Sequence, residues 1–388
     1  MDFDLSPAQV ELQKRAHEAG LRWRGQHTSW DHDDASPYAE ITTCLRDAGL
    51  LGLTIPVEYG GKGGTALDYV IVVEELFRSS QSWILGEPPF CTTGPGPSMI
   101  LLAESEKTRQ KFLPDVVAGL KGCAIALTEP NHGSDLTDLE TVAEAQGNEY
   151  VITGSKRFIT GAPENELYAV LARFDGVPGA RGVGCVLIEK DTPGLELKRG
   201  ARFVGSRGLP HGEVHMHGCR VPQVNVISRA GSFATLMNAF NMERLHNSVY
   251  SLAFAEAALE ETVAYCEQRE SFGKQIIEFQ ATYHTIVDMY VAIEAHRLLT
   301  YQAAATAIDG RFPRPLESTV SKLSGATMLP DLTQKGLLLH GGDGATLDFP
   351  IQRLHRDAIA AMVAGGSPPV LRNTIAAQLF PSRRFRQK

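Results

Sequence analysis

The sequence predicts a multi-domain α+β protein with a helical region, a β region and a second helical region. Residues 1–120 carry helix signals, and residues 121–225 carry short strand-like runs between turn residues. Residues 226–388 contain two long stretches without glycine or proline. With 388 residues, the chain is long enough for two or three units with large cores. We expect an N-terminal α-helical domain, a middle β-sandwich or barrel domain, and a C-terminal antiparallel four-helix bundle.

Capping and turn residues mark the helices of the N-terminal domain. The segment SPAQ at 6–9 combines an N-cap serine, a proline at the first helical position and a glutamine three residues after the cap. A second helix is predicted to end near Gly49, and further helices over Leu67–Ser79 and Glu104–Gly119. Pro114 is expected to interrupt the last of these helices.

The middle region alternates strand-like runs with turn signals such as Gly147-Asn148. Seven such runs at this spacing predict a β-sandwich or barrel. The runs are CAIAL, ETVAEAQ, EYVITGSKRFIT, LYAVLARF, GVGCVLIE, LELKR and GEVHMHG.

Two breaker-free stretches, Ser232–Phe272 and Lys274–Asp309, predict two long successive helices. Such a pair implies an antiparallel bundle, in which the second helix would bury four apolar side chains. These side chains are Ile286, Met289, Ile293 and Leu298.

Composition excludes several classes of protein. The formal net charge is −8 and no run rich in lysine or arginine occurs, so we expect no nucleic-acid partner. No stretch is apolar enough to span a membrane, and the acidic N-terminus lacks signal or transit character, so a cytoplasmic location is predicted. Six scattered cysteines favour free thiols. His211, His215 and His217 lack the spaced partners of a metal site, and none is predicted.

A loop at 128–135 carries the strongest functional signal. The apolar run Cys123–Leu127 is followed by TEP, two residues and GSD, so proline and glycine end the strand and open the backbone. A loop rich in free N–H groups and hydroxyls suits an anionic or carbonyl-rich cofactor.

This loop resembles the flavin-contacting signature of the acyl-CoA dehydrogenase family, and further motifs extend the match nearly end to end. GSKRFIT at 154–160 resembles the family's G-x-K-x-W-I-T. RESFGK at 269–274 with FQ at 279–280 resembles R-x-x-F-G-K and F-Q. The other matching segments are LRDAGLLGLTIPVEYGGKGG at 45–64, GCRVP at 218–222, GGDG at 341–344 and RDA at 356–358. The chain is identified as a member of this family.

The resemblance implies that FAD is the cofactor, held by two groups of residues. The flavin group is Leu127, Thr128, Gly133, Ser134, Phe158 and Thr160. The group for the diphosphate and adenosine, which in relatives acts across a subunit contact, is Arg269, Phe272, Gln280, Gly341 and Gly342. Several positions depart from the family pattern, among them Phe158 in place of a tryptophan, Leu338 in place of a glutamine and Gly366 in place of a threonine.

The resemblance also implies a catalytic carboxylate. Many members place it in a late E-G-T-S motif, but this chain has Ala364-Gly365-Gly366-Ser367 there. Isovaleryl-CoA and long-chain members place it instead in a helical segment ending E-R-L, which matches Glu243-Arg244-Leu245. We expect Glu243 to be the base, with a pKa raised by an apolar pocket, and the Ala364 N–H to polarise the thioester carbonyl. The alternative for Glu243 is a solvated helix glutamate.

Ser134, Asn241 and Arg244 match family positions near the substrate, although Arg244 is equally open to a surface ion pair. The implied reaction is α,β-dehydrogenation of an acyl-CoA, an oxidoreductase reaction on a CH–CH donor with hydride transfer to flavin N5. The implied partners are an electron-transfer flavoprotein and further copies of the chain, as a homotetramer built as a dimer of dimers. Alternatives are an oxidase, isomerase or β-elimination variant, and a non-catalytic acyl-CoA- or flavin-binding paralogue or subunit.

Overall fold

The computed structural model describes residues 4–307 and 309–383. The first helices are α1 (Pro7–Leu21), α2 (His27–Asp33), α3 (Tyr38–Asp47), α4 (Ala66–Ser80), α5 (Glu87–Thr92), α6 (Pro95–Leu101) and α7 (Glu106–Val117). The strands that follow are β1 (Cys123–Ala126), β2 (Val142–Gln146), β3 (Glu149–Thr160), β4 (Leu167–Phe174), β5 (Val183–Glu189), β6 (Leu195–Arg199), β7 (His211–Pro222) and β8 (Val226–Ser228). The remaining elements are α8 (Phe233–Gln268), β9 (Glu270–Ser271), β10 (Lys274–Gln275), α9 (Gln280–Ala305), α10 (Pro315–His340), α11 (Pro350–Val363) and α12 (Pro368–Leu379). This order confirms the predicted helix–sheet–helix fold.

The predicted cap of α1 is confirmed. Ser6 Oγ accepts a hydrogen bond from the Gln9 N–H at 3.3 Å, and Gln9 Oε1 accepts one from the Ser6 N–H at 3.0 Å. The predicted interruption at Pro114 is wrong, because α7 continues through it to Val117. Only three helical residues follow the proline, so its missing N–H costs one hydrogen bond in the last turn.

All seven predicted strand runs form strands, and among the described residues they join β8 in one eight-stranded, mainly antiparallel sheet. Its order is β6-β7-β3-β2-β4-β5-β8, with β1 pairing in parallel with β4. The sequence did not predict β8, whose three residues are too few for a periodic pattern and which is held by pairing with β5. The register between β3 and β7 shifts between Lys156 and Ile159. This irregularity changes the direction of the strand at Phe158.

The C-terminal helices form the predicted antiparallel bundle, with α8 packed against α9, α10 and α11. Met289 and Ile293 are fully buried as expected, whereas Ile286 is half-buried. The prediction for Leu298 is wrong, because its side chain is 54% exposed. Leu298 follows Met289 by nine residues, or about two and a half helical turns, and so points to the opposite side of α9.

A shared apolar core joins the middle sheet to the start of α8. Leu127 at the end of β1 lies in the same buried cluster as Leu236 and Ala239 of α8. The loop after β1 is thereby held close to the helix that carries Glu243. No helix among the described residues combines the length and apolarity needed to cross a membrane. All six cysteines are free, as predicted.

Candidate active site

A buried ion pair holds the loop that follows β1. Lys156 Nζ on β3 donates to the Leu127 carbonyl at 3.0 Å and to Glu129 Oε1 at 2.8 Å. Glu129 also accepts from the backbone N–H groups of Glu140 and Thr141 at 2.6 and 2.9 Å. Burial lowers the pKa of Lys156 to about 8, while the Glu129 carboxylate opposes this shift. The glutamate of the TEP motif therefore holds the loop in shape, a role that the sequence reasoning missed.

The rest of this loop is open. The Thr128 carbonyl accepts the Arg157 N–H at 2.9 Å, which pins one edge of the loop to β3. A Cβ added at Gly133 would meet nothing within 4 Å, and Gly133 and Ser134 are exposed. The hydroxyls of Thr128 and Ser134 make no hydrogen bond to a described residue. The loop thus presents free hydroxyls beside open space, as a cofactor with carbonyl and ring-nitrogen acceptors requires.

Phe158 presents an aromatic face next to this loop. Its backbone is left-handed, with φ of 58°, and its side chain is 46% exposed. The Arg157 guanidinium lies 4.2 Å from the ring centroid. Thr160 Oγ1 lies 3.0 Å from His211 Nε2, so the predicted flavin contact at this hydroxyl already has a protein partner. An exposed ring bordered by free hydroxyls fits the isoalloxazine of a flavin.

Glu243 is half-buried on α8, where two cations face it. Burial raises its pKa to about 7, as expected, and the charges of Arg244 and Lys322 oppose the rise. Lys322 on α10 is fully buried and donates to the Ala361 carbonyl at 2.7 Å, and burial lowers its pKa to about 7. Glu243 is therefore not the fully solvated glutamate of the alternative interpretation. The sequence reasoning missed Lys322.

The turn at residues 364–367 lies beside Glu243 in space, but the N–H that was predicted to be free there already donates a hydrogen bond within the protein. The Ala364 N–H donates to the Ala360 carbonyl at 3.1 Å, because Ala364 closes the last turn of α11. The next N–H, that of buried Gly365, has no partner among the described residues. A Cβ at Gly365 would lie 3.0 Å from Asn247 Nδ2, which donates to the Glu243 carbonyl at 2.9 Å. The free N–H near Glu243 thus belongs to Gly365.

Asn241 and Arg244 form a buried polar pair that flanks Glu243 in the sequence of α8. Arg244 Nη1 donates to Asn241 Oδ1 at 2.9 Å and to Thr319 Oγ1 at 3.2 Å. Arg244 is only 7% exposed, so it is not in a surface ion pair. Arg244 Nε and Asn241 Nδ2 are buried and have no partner among the described residues. Two such donors indicate that a ligand completes this site.

Comparison with known proteins now identifies the family. The family models described as acyl-CoA dehydrogenase, N-terminal, middle and C-terminal domain match residues 7–120, 124–219 and 232–380. The chain belongs to the acyl-CoA dehydrogenase family. It is 34% identical to the short-chain specific acyl-CoA dehydrogenase of Clostridium acetobutylicum, over 98% of this chain and 100% of that protein. It is 32% identical to 3-sulfinopropanoyl-CoA desulfinase of Paraburkholderia xenovorans, over 97% of each.

The solved structure of butyryl-CoA dehydrogenase from Megasphaera elsdenii superposes with a TM-score of 0.93. The identity is 29%, and the match covers 98% of this chain and 100% of that one. The predicted family, fold and enzyme class are therefore confirmed. The protein is a flavoprotein oxidoreductase of the acyl-CoA dehydrogenase type, which acts on CH–CH donors.

The second predicted cofactor group of this acyl-CoA dehydrogenase lies far from Glu243. Arg269, Phe272, Gln280, Gly341 and Gly342 are all exposed, near the C-terminal end of α8. Tyr265 joins α8 to the glycine turn, since its hydroxyl donates to His340 O at 3.1 Å and Asp343 Oδ2 at 2.7 Å. Arg269 follows Glu243 by about 26 residues, or about 39 Å along the helix. Within one chain, Arg269 and Glu243 therefore lie at distant points of α8.

One cavity beside the middle domain does not include Glu243 in its wall. It has a volume of about 1050 Å³ and lies between α3 and the middle domain, with Tyr38, Asn165, Phe203 and His211 in its wall. The carboxylate with the raised pKa and the unpaired buried donors lie instead at Glu243 and its neighbours on α8.

One group of side chains has the geometry of a metal site. Ligand atoms of Glu129, His132 and Glu140 lie within 4.8 Å of one another. The carboxylate of Glu129 is already bonded to Lys156 and to two backbone N–H groups. The position of the Glu129 carboxylate in this group is therefore set by its bonds within the loop.

Proposed function

We propose that the protein is an FAD-dependent acyl-CoA dehydrogenase in which Glu243 removes the α-proton of the substrate. The observation that carries this proposal is a half-buried carboxylate with a pKa near 7, beside buried donors that have no described protein partner. A base is most effective when its pKa lies near the working pH, and Glu243 meets that condition.

The α-proton of a thioester is weakly acidic, so negative charge on the carbonyl oxygen must be stabilised as the proton leaves. The Gly365 N–H is the donor we assign to this oxygen, in place of the engaged Ala364 N–H. The positive charges of Lys322 and Arg244 keep Glu243 available in its ionised form. Asn241 and Arg244 would bind the substrate through their unpaired donors, with Ser134 at the open loop.

The proposed FAD site uses the loop and aromatic face described above. Thr128, Gly133, Ser134 and Phe158 would hold the flavin, with the Leu127 carbonyl fixed by Lys156. When bound there, FAD would accept the β-hydrogen as hydride. The protein's own contribution is to exclude water around Glu243 and to position the acyl chain between base and flavin.

The test is anaerobic mixing of the purified yellow protein with a panel of acyl-CoA thioesters. Loss of flavin absorbance with at least one thioester is the expected result. A protein that takes up no FAD, or one whose flavin keeps its colour with every thioester, would refute the proposal. Stoichiometric loss of a β-substituent with retained colour would favour the elimination variant, for which the desulfinase relative is the specific support.

We propose that the protein works as a homotetramer in the cytoplasm and passes electrons to an electron-transfer flavoprotein. An apolar stripe on α9 supports self-association: Tyr283, Val287, Tyr290, Val291 and Leu298 are exposed at helical spacing. The distance between Arg269 and Glu243 also supports self-association, because Arg269 and the rest of the second cofactor group would then contact the FAD of a neighbouring copy. Light scattering should give four copies, and a monomer would contradict this assignment. Rapid oxygen consumption with substrate would favour an oxidase instead.

A further inference from the structure

Glu87 is a buried carboxylate that the proposed reaction does not use. It lies on α5 and is 2% exposed. Its hydrogen-bond donor is the Cys91 thiol, 3.0 Å from Oε1, and a thiol is a weak donor. No lysine, arginine or histidine among the described residues forms an ion pair with it. A carboxylate buried without a cation is unfavourable, so Glu87 favours its protonated form unless a ligand supplies a positive charge.

The groups around Glu87 cannot supply a positive charge. The Cys91 thiol is also bonded to Asn165 Nδ2 at 2.9 Å, and burial raises its pKa well above the usual value. Burial likewise raises the pKa of Tyr69 and Tyr38, so both phenols stay neutral. The Tyr69 hydroxyl lies 2.7 Å from His246 Nδ1, and burial lowers the pKa of His246 to about 3. His246 is therefore uncharged near neutral pH.

Glu87 lies on a helix that contacts the helix of Glu243. Phe90, one turn beyond Glu87 on α5, packs edge-on against His246 with ring centroids 5.1 Å apart. His246 lies one turn beyond Glu243 on α8, so Glu87 and Glu243 lie on the facing sides of these two helices. Burial raises the pKa of Glu87 to about 8, the Cys91 thiol opposes the rise, and the charge of Glu243 adds to it. The two carboxylates are therefore close enough to interact.

We propose that Glu87 selects thioesters whose acyl group carries a basic nitrogen, which it binds as an ion pair across the pocket from Glu243. This inference rests on the proposed function, because it assumes that an acyl chain lies between α5 and α8. The same carboxylate would exclude acyl groups that end in a carboxylate, because like charges would meet in a buried site. A plain alkyl chain would leave Glu87 protonated and unpaired.

Binding of such a ligand has a proton balance that can be measured. The free protein holds a proton on Glu87 near pH 7, and the ligand arrives as an ammonium. Formation of the ion pair therefore releases one proton from Glu87 to the buffer, whereas an alkyl ligand releases none from this group.

The experiment uses the flavin-loaded protein and thioether analogues of CoA, which lack the carbonyl and are not oxidised. Each aminoalkyl ligand is paired with an alkyl ligand in which a methyl replaces the ammonium: S-(3-aminopropyl)-CoA with S-butyl-CoA, and S-(2-aminoethyl)-CoA with S-propyl-CoA. Calorimetry in buffers of different ionisation enthalpy gives both the Kd and the protons released. We expect one aminoalkyl ligand to bind about ten- to a hundredfold more tightly than its partner, with proton release close to one.

Glu87→Gln should remove the preference and the proton release, while the alkyl ligands bind as well as before or better. Glu58→Gln, at an exposed position of the same N-terminal region, is the matched control. The inference is overturned if neither aminoalkyl ligand binds more tightly than its partner, a comparison that needs only the unaltered protein. It is also overturned if the preference survives Glu87→Gln. If no CoA ligand binds and every acyl-CoA thioester of the panel leaves the flavin coloured, the proposed function fails as well.

Discussion

Glu243→Gln is the substitution that separates the base from the rest of the site. Glutamine keeps the shape of the side chain and its place on α8 but cannot accept the α-proton. A positioned general base contributes about 10²- to 10⁴-fold, so flavin reduction should slow by that factor while flavin binding is retained. Anaerobic stopped-flow absorbance with a saturating acyl-CoA measures this step directly. Glu267→Gln, at an exposed position of the same helix, is the control.

The pH dependence of the unaltered protein tests the same carboxylate. Because the pKa of Glu243 is about 7, the reduction rate should rise about tenfold per pH unit below 7 and level off above it. Reduction near the normal rate in Glu243→Gln would refute the assignment. A rate that is flat from pH 5 to pH 8 would contradict the raised pKa.

Stability should change in the opposite sense to activity. The folded-state pKa of Glu243 lies above the ordinary value of 4.5, so its stabilising effect is complete below pH 4.5 and is lost as pH rises through about 7. The shift corresponds to at most about 3 kcal/mol. Glu243→Gln removes this loss. The thermal midpoint of the variant, relative to that of the unaltered protein, should therefore be higher at pH 8 than at pH 5. An equal difference at both pH values would contradict the linkage.

Two further substitutions test the cofactor loop. Lys156→Met leaves the Glu129 carboxylate buried without its cation and should destabilise the protein by about 3–5 kcal/mol in denaturant unfolding, whereas exposed Lys190→Met should have little effect. An unchanged unfolding midpoint in Lys156→Met would show that the ion pair does not hold the loop. Phe158→Ala should weaken FAD binding by about three- to tenfold in a fluorescence titration. The apoprotein should keep its thermal midpoint, since the Phe158 ring is half exposed, and unchanged FAD affinity would exclude a stacking role.

Short-range sequence patterns were enough to predict many of the helices and strands of this protein. The seven strand runs, the capping box at Ser6 and the two long breaker-free helices were readable because alternation, caps and helical spacing act over a few residues. The TEP…GSD loop and the E-R-L segment likewise pointed to the family and to Glu243 from the local sequence alone. Such features depend on neighbours along the chain, which the sequence states directly.

Tertiary packing decided which of these groups are buried, charged or free. The partner of Glu129 comes from another strand, and Glu87 comes near Glu243 only because α5 contacts α8. The Ala364 N–H was expected to be free, but it donates the hydrogen bond that closes the last turn of α11. Leu298 was expected to be buried, but its side chain faces outward. Burial, pKa and an unpaired donor arise from contacts between segments distant in sequence, and no local pattern records them.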